Sequence, residues 1–195
     1  MTKAEKTRQF IIEKSAPIFN TKGIAATAMS DIMEATKLSK GSLYVHFDNK
    51  DVLACAAIDH NMEIVVRKVS AALSQHTNAR DKLFAYIDVF SDPMNSPAFG
   101  GCPIMNFGLE ADDTNETIRG KATRAIEVNQ QLIADLIKTG IKDGTFKPDW
   151  NYKEFSTMMF AMIEGGVMLG RIAGNSHKMK IISRNLKQMI NQQLI

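Results

Sequence analysis

Residues 27–50 read TAMSDIMEATKLSKGSLYVHFDNK, and this stretch carries the most specific pattern of the chain. Thr27 and Ser39 are residue types that favour the N-cap of a helix, and apolar side chains follow each of them at helical spacing. The stretch predicts two short helices joined by a tight connection at residues 36–38. In the second helix, Leu43 and Phe47 lie four residues apart and face a core. Two helices of this length cannot form a bundle alone, so other helices must cover them.

The second of these helices presents polar groups on the side that does not face the core. These residues are Ser39, Lys40, Ser42, Tyr44 and His46. A helix-turn-helix inserts its second helix into the major groove of DNA, which is wide enough for one helix. Gly41 has no side chain and lets the helix N-terminus approach a phosphate, and Lys50 adds a positive charge at the next helix start. The pattern indicates an element that reads double-stranded DNA.

The ordered set T-x-x-x-D-I-x-x-x-x-x-x-S-K-G-S-L-Y-x-H-F-x-x-K-x-x-L, from Thr27 to Leu53, resembles the signature of the tetracycline-repressor family. Ala16, Phe19 and Gly23 of the preceding helix agree with the same family pattern at a slightly compressed spacing. The resemblance implies an all-α, nine-helix fold with an N-terminal helix-turn-helix and a C-terminal helical ligand-binding and dimerisation domain. It also implies a bacterial homodimer that releases a pseudo-palindromic operator when a small-molecule effector binds.

By their positions in this signature, ten residues are expected to meet the operator. From the second helix of the chain these are Thr27, Met29 and Ser30. From the third helix they are Ser39, Lys40, Gly41, Ser42, Tyr44 and His46. Lys50 is expected to hold a phosphate.

Helical periodicity continues through the rest of the chain, and no segment alternates as a half-buried strand would. We expect further helices over residues 3–21, 50–75, 81–91, 114–142 and 151–173, one beginning at 103, and one from 177 to the end. Residues 92–103 form the one clear irregular stretch, with three prolines and two glycines. We expect residues 1–49 to form the DNA-binding domain and residues 50–195 the effector-binding and dimerisation domain.

The composition is that of an ordinary globular protein, with 45% hydrophobic and 23% charged residues. Residues 1–50 contain eight Lys and Arg against five Asp and Glu, and the other 145 residues contain sixteen of each. The net charge of +3 therefore lies in the N-terminal quarter, which favours a polyanionic partner there.

Nothing in the sequence indicates export or a membrane. The N-terminus has no apolar signal core, and two cysteines are too few for a disulfide framework. The apolar run at residues 158–163 is broken by Glu164, well short of the roughly 20 residues that a spanning helix needs. We expect a cytoplasmic protein without membrane partners.

The segment G-C-x-x-x-N-x-x-x-E at residues 101–110 resembles a run in a subset of the same family. Twelve methionines and ten phenylalanines in the chain suit an adaptable apolar cavity. The candidate ligand-binding residues are Tyr86, Phe90, Phe99, Cys102, Met105, Asn106, Leu109, Met159 and Met162. We expect a small, largely apolar effector to enter near residues 92–103, with a plain bundle core as the alternative for each Met or Phe.

Cys102 directly precedes Pro103 at the expected start of a helix, where the helix dipole favours a thiolate. Two interpretations stay open for this residue. It is a sensor of electrophiles or oxidants, as in relatives with the same run, or a small buried residue at a helix start.

Glycines recur at four-residue spacing on the eighth helix, and small residues let two helices approach closely. The expected dimer interface consists of Gly166, Gly170, Ile182, Leu186 and Met189. Packing within one chain is the alternative explanation for these residues, and a four-helix bundle between two subunits is the expected one.

Two other classes of protein are less well supported. The chain has no G-x-S-x-G, H-E-x-x-H, P-loop or dinucleotide-binding motif, and its four histidines are scattered, so an enzyme with catalytic residues or a cofactor is not expected. Glu110, Asp112 and Asp113 point in different directions on a helix and indicate a solvated turn rather than a metal site. A helical binding protein without DNA affinity would not need the run from Ser39 to Lys50.

Overall fold

The computed structural model describes all 195 residues and confirms the all-α prediction. It contains nine α-helices, no strand, and a 3-10 turn at Pro93–Asn95. The helices are α1 Lys3–Lys22, α2 Met29–Thr36, α3 Lys40–His46, α4 Lys50–Leu73, α5 Ala79–Val89, α6 Pro103–Ala111, α7 Glu116–Lys142, α8 Tyr152–Ala173 and α9 His177–Asn191. No helix is both long enough and apolar enough to cross a membrane.

The chain divides into two compact units, which we call the N-terminal unit and the C-terminal unit. The N-terminal unit comprises residues 1–65 and 98–122, and the C-terminal unit comprises residues 66–97 and 123–195. The N-terminal unit is discontinuous in sequence, since it combines α1 to α3 and most of α4 with α6 and the start of α7. From the sequence we expect a DNA-binding domain over residues 1–49 and a second domain over residues 50–195. That assignment of domains by function stays a prediction.

The N-terminal unit is built on one apolar cluster to which every one of its helices contributes. Its fully buried members include Ile11, Phe19, Ile32, Leu43, Leu53, Ile58, Phe107 and Ile118. Phe107 comes from α6, so this helix is part of the core that supports α2 and α3. Burial of a side chain of this size contributes about 1.5–3 kcal/mol, which favours a single arrangement of these helices.

The C-terminal unit is a helical bundle in which α8 packs on α9 and on the 3-10 turn. The Tyr86 hydroxyl donates to Asn129 Oδ1 at 2.8 Å and joins α5 to α7. The Lys187 ammonium lies 2.6 Å from an Asp88 carboxylate oxygen and joins α9 to α5. The bundle therefore has a satisfied polar link at two of its helix contacts.

Most helix boundaries predicted from the sequence lie within two residues of those observed. The fifth helix begins at Ala79 rather than Asp81, because the Asn78 side chain accepts the Asp81 N–H at 2.8 Å and caps the helix. The irregular stretch contains the 3-10 turn, which Asp92 caps by accepting the Met94 N–H at 3.2 Å. Both differences arise from side-chain caps that hydrophobic periodicity does not show.

Candidate nucleic-acid interface

The helix α3 is held on the N-terminal unit by the two apolar residues that the sequence places four apart. Leu43 and Phe47 are both buried, in the same cluster as Ile32 of α2. Ser39 is the N-cap of α3, as expected, and its hydroxyl accepts the Ser42 N–H at 3.2 Å. This anchoring fixes which face of α3 points away from the protein.

The connection between α2 and α3 is closed by Lys37, whose φ of 58° is in the left-handed region. The Lys37 N–H donates to the Met33 carbonyl at 2.8 Å, and the Leu38 N–H donates to Thr36 Oγ1 at 3.4 Å. The turn predicted at residues 36–38 is therefore present, with Thr36 as the last residue of α2. It is held by the Lys37 backbone and by the Thr36 hydroxyl, and it sets the crossing of the two helices.

The outward face of α3 carries most of the residues expected to meet DNA. Ser39, Lys40, Gly41, Ser42 and Tyr44 are exposed, and His46 is half-buried. The Lys40 ammonium lies 5.9 Å from the centre of the Tyr44 ring, so the aromatic ring and the charge occupy one patch. Hydroxyl, phenol, imidazole and ammonium groups together can donate to phosphates and to base edges.

The same face contains a residue that the sequence interpretation did not single out. Val45 is 80% exposed, more than any other large apolar side chain of the N-terminal unit, and Met1 follows at 78%. The signal for it was present in the sequence, because a residue two positions after the buried Leu43 lies about 200° around a helix.

The α2 candidates are placed less uniformly. Ser30 is exposed and Met29 is half-buried, packed against the apolar cluster. Thr27 is buried, and its hydroxyl donates to the Gly23 carbonyl at 2.5 Å. The expectation that Thr27 is the N-cap of α2 was wrong: the N-cap is Ala28, whose N–H donates to the Asp31 carboxylate at 3.0 Å.

Asp31 holds the start of α2 through a second contact as well. The Lys22 ammonium lies 2.8 Å from Asp31 Oδ1. The hydrogen bond from Lys22, followed by the one from the Ala28 N–H, lowers the pKa of Asp31 below its ordinary value. The carboxylate form of Asp31 therefore links the last turn of α1 to the first turn of α2.

Lys50 points at the protein backbone in this structure. Its ammonium donates to the Ile24 carbonyl at 2.8 Å and to the Thr27 carbonyl at 3.1 Å. These two carbonyls belong to residues 23–27, which we call the α1–α2 turn. A phosphate contact by Lys50 stays a prediction, and its contacts in the free protein are with this turn.

Glu110 of α6 binds the same α1–α2 turn through the opposite backbone groups. Its carboxylate accepts the Ile24 N–H at 2.8 Å and the Ala25 N–H at 2.6 Å. Gly23 has a φ of +81°, and a Cβ at this position would lie 2.9 Å from Glu110 Oε2. Both the backbone conformation and the close carboxylate therefore require glycine at residue 23. The sequence interpretation treated Glu110 as part of a solvated turn, but its carboxylate is bound inside the N-terminal unit.

Asn106 lies one helical turn before Glu110 and contacts the end of α1. Its amide donates to the Asn20 carbonyl at 2.9 Å and to Asn20 Oδ1 at 3.1 Å. Asn20 is buried, and its own amide donates to the carbonyls of Phe99 at 2.7 Å and Gly101 at 3.1 Å. We call Asn106, Glu110 and their partners the α6 clamp. In the α6 clamp, the polar groups of Asn106 and Glu110 are used to hold α1 and the α1–α2 turn.

The other candidate ligand residues divide between the two compact units. In the N-terminal unit, Phe99 and Leu109 are exposed, and Cys102 and Met105 are half-buried. In the C-terminal unit, Tyr86, Phe90 and Met159 are buried and Met162 is half-buried. Their role in binding an effector stays a prediction.

Two glycines predicted to lie between subunits are accounted for by packing within the chain. A Cβ on Gly166 would collide with Met179 Sδ of α9, and a Cβ on Gly170 would lie 2.6 Å from Pro93 Cγ. Leu186 is buried, and Ile182 and Met189 are half-buried. Within one chain, Gly166 and Gly170 thus make the intrachain contacts that the sequence left open as the alternative.

A different face of α8 is open. It carries the exposed residues Met168, Leu169 and Ile172, and Ile181 of α9 is also exposed. Gly165 lies one turn before Leu169, and no atom would lie within 4 Å of a Cβ added there. We call these five residues the α8–α9 apolar face. It combines exposed apolar side chains with a site where another helix could approach closely.

The remaining titratable groups do not form a metal centre. No group of three or more His, Cys, Asp and Glu side chains is arranged to hold a metal ion. The two cysteines are not joined in a disulfide, and burial raises the pKa of the Cys55 thiol. Cys102 is the N-cap residue of α6, in the position expected from the following proline.

Comparison with known proteins finds two matching family models. Residues 11–57 match the model of bacterial regulatory proteins of the tetR family. Residues 79–186 match the model of a tetracyclin repressor-like C-terminal domain. The two matches cover the helix-turn-helix and most of the C-terminal helices.

Solved structures and curated proteins agree with these models. A TetR-family transcriptional regulator from Cytophaga hutchinsonii is 35% identical, with a TM-score of 0.95 over 100% of this chain and 98% of that one. A TetR transcriptional regulator from Chloroflexus aurantiacus is 36% identical, with a TM-score of 0.94 over the same shares. The HTH-type transcriptional regulator LmrA of Bacillus subtilis is 24% identical over 95% of this chain and 97% of its own length.

Proposed function

This chain belongs to the tetR family of bacterial regulatory proteins, and on that premise we propose that it is a repressor that releases its operator when a small, largely apolar effector binds. Members of the family are DNA-binding transcription regulators and not enzymes. The observation that carries the responsive part of the proposal is the α6 clamp. It places one helix in contact with the backbone that leads into α2.

DNA binding is assigned to the outward face of α3. Lys40, Ser42 and Tyr44 are exposed there, and Gly41 leaves open space beside them. In a dimer, two such helices enter successive major grooves of a pseudo-palindrome, about 34–36 Å apart. Occupation of the operator then blocks transcription sterically, in the bacterial cytoplasm.

Dimerisation is assigned to the α8–α9 apolar face. Family members act as dimers. In this chain the exposed apolar residues Leu169, Ile172 and Ile181 need a cover, and Gly165 permits close approach. Two copies of this face would make a four-helix interface.

Release is assigned to a displacement of α6. Asn106 and Glu110 hold α1 and the α1–α2 turn, while the candidate ligand residues Cys102, Met105 and Leu109 lie on an adjacent face of the same helix. An effector that binds better to a state with α6 moved would reposition α2 and α3 through the α6 clamp. Its effect on DNA affinity is limited by its differential affinity for the two states.

The DNA-binding part is tested with a fluorescent duplex from the region upstream of the protein's own gene. We expect salt-sensitive binding by the wild type and a large loss in a Lys40→Ala/Tyr44→Ala double variant. Both residues are exposed, so the variant should retain its helical circular dichroism. Equal binding by the two proteins would contradict the assignment of α3.

The effector is sought by thermal shift with a panel of hydrophobic compounds, followed by operator release with each compound that raises the melting temperature. A ligand at a hundredfold excess over its Kd stabilises the folded state by about 2.7 kcal/mol. Release by a compound that leaves Glu110→Gln bound to DNA would support transmission through the α6 clamp. If no compound in a broad panel shifts melting or releases DNA, the responsive part of the proposal fails.

Cys102→Ser separates two modes of release. If the variant still responds to the same compound, the effector acts by non-covalent occupancy. If its response to electrophiles is lost while DNA binding persists, Cys102 is the sensor. Cys55→Ser is the matched control, because the raised pKa of Cys55 keeps it a thiol at neutral pH and it should not react.

A further inference from the structure

One exposed side chain of α3 is apolar, and it takes no part in the apolar core of the fold. Val45 is 80% exposed, whereas Leu43 on the same helix is 1% exposed. At about 100° per residue, residues 41 and 45 lie on the side of the helix opposite Leu43. Gly41 has no side chain, and no atom lies within 4 Å of the position of its Cβ. Of these two residues only Val45 has a side chain, so its isopropyl group is what α3 presents on the side opposite Leu43.

Local structure gives no reason for a valine at this position. A β-branched residue is a weaker helix former than alanine, and α3 has only seven residues. The neighbours on either side, Tyr44 and His46, supply the polar groups of the patch. An exposed isopropyl group among hydrogen-bonding side chains is suited to an apolar partner within an otherwise polar surface.

The major groove offers one such apolar group. Base edges there present hydrogen-bond donors and acceptors, and the exception is the 5-methyl group of thymine. Because residue 41 has no side chain, α3 can approach the groove floor closely beside Val45. We propose that Val45 contacts a thymine methyl group and selects a T·A pair at one position of each operator half-site. This inference rests on the proposed function, because it requires α3 to lie in the groove.

The test uses an operator duplex selected from a random pool by the wild-type protein. Each thymine of the half-site is replaced in turn by deoxyuracil, symmetrically in both half-sites, which removes the methyl group and leaves base pairing intact. Kd is measured by fluorescence anisotropy at fixed salt. Loss of a buried methyl group corresponds to about fourfold weaker binding per half-site, hence about 15-fold for the symmetric duplex.

We expect one thymine position at which uracil weakens wild-type binding by about this factor. Val45→Ala should bind the thymine operator more weakly by a similar factor and should not distinguish thymine from uracil at that position. Val128→Ala, at a 57% exposed valine of α7, is the matched control and should retain the wild-type sensitivity. Helical circular dichroism checks that Val45→Ala remains folded.

The outcomes separate this inference from the proposed function. A wild-type protein that binds the selected operator but tolerates uracil at every thymine overturns the role of Val45 and leaves DNA binding intact. The same holds if Val45→Ala keeps the full uracil sensitivity. A random pool that yields no bound sequence overturns both.

Discussion

The α1–α2 turn and the helix α3 lie within 24 residues of each other and use polar side chains in opposite ways. At the turn, Thr27, Lys50 and Glu110 all bind backbone groups of residues 23–27. On α3, Ser42 and Lys40 are exposed. In the free protein, the polar residues around this motif therefore divide into those that hold its backbone and those that stay exposed.

The same contrast recurs along α8 with small and apolar residues. Gly166 and Gly170 are closed against Met179 and Pro93, whereas Gly165 is open beside the exposed Leu169. Adjacent glycines thus belong to an intrachain contact and to a free surface. Substitutions that separate the two kinds of site test the contrast directly.

The largest effect is expected at Gly170. Leucine there must displace Pro93, and overpacking of this kind costs up to about 3 kcal/mol of unfolding free energy. Gly165→Leu is the matched variant: a Cβ at this position would have no neighbour within 4 Å, so the change should leave the helical content unchanged while it weakens the dimer. Urea denaturation measures the first effect and sedimentation at micromolar concentration the second. A stable Gly170→Leu protein, or a Gly165→Leu dimer as tight as wild type, would contradict this division of α8.

The next largest loss of unfolding free energy is expected for Glu110→Ala. It removes a charged acceptor from the Ile24 and Ala25 N–H groups, and we expect a loss of about 2 kcal/mol in unfolding free energy together with weaker DNA binding. Asp113→Ala is the control, because Asp113 is exposed near the same helix end and should change stability by less than about 0.5 kcal/mol. Equal stabilities of the two variants would show that the α6 clamp does not hold the turn.

Substitutions of Lys50 and Lys40 should have separate effects, one on protein stability and the other on the salt dependence of DNA binding. Lys50→Ala leaves two turn carbonyls without their donor and should cost about 1 kcal/mol; if these contacts with the turn persist in the complex, the salt slope of DNA binding changes little. Lys40→Ala should leave stability unchanged and lower the slope of log K against log salt by about one unit for each subunit. A reversal of these results would place Lys50 on a phosphate in the complex.

The smallest effect is expected on the stability of the protein at acid pH, through Asp31. The pKa of Asp31 is lowered by Lys22 and by the Ala28 N–H, so the folded state binds its proton less readily than the unfolded chain. Its stabilising contribution is therefore present at neutral pH and is lost as the pH falls below about 5, first through the ordinary pKa of an aspartate and then through the lower pKa of the folded state. Asp31→Asn should lower the melting temperature slightly at pH 7 and flatten its decline in this range. An acid profile identical to wild type would mean that the contact with Lys22 contributes nothing.

Local signals made much of the fold predictable. Helical spacing and the residues that start and stop helices gave the nine helices, and Ser39 was identified correctly as the cap of α3. Such signals act over three or four residues, so they can be read directly from the chain. The polar face of α3 followed from the positions of Leu43 and Phe47, and the same phase also pointed to Val45.

The all-α fold and the helix-turn-helix could be predicted from the chain alone, because caps, turns and helical phase depend on neighbouring residues. The family followed from the resemblance of Thr27 to Leu53 to its signature. Which polar and small residues make contacts within the chain became clear only from the folded arrangement of the helices. Glu110 lies 86 residues from Ile24, and Lys50 lies 26 residues from the same turn. Hydrogen bonds between such distant residues have no short-range pattern, since the helices bring their partners together only when the shared apolar core forms.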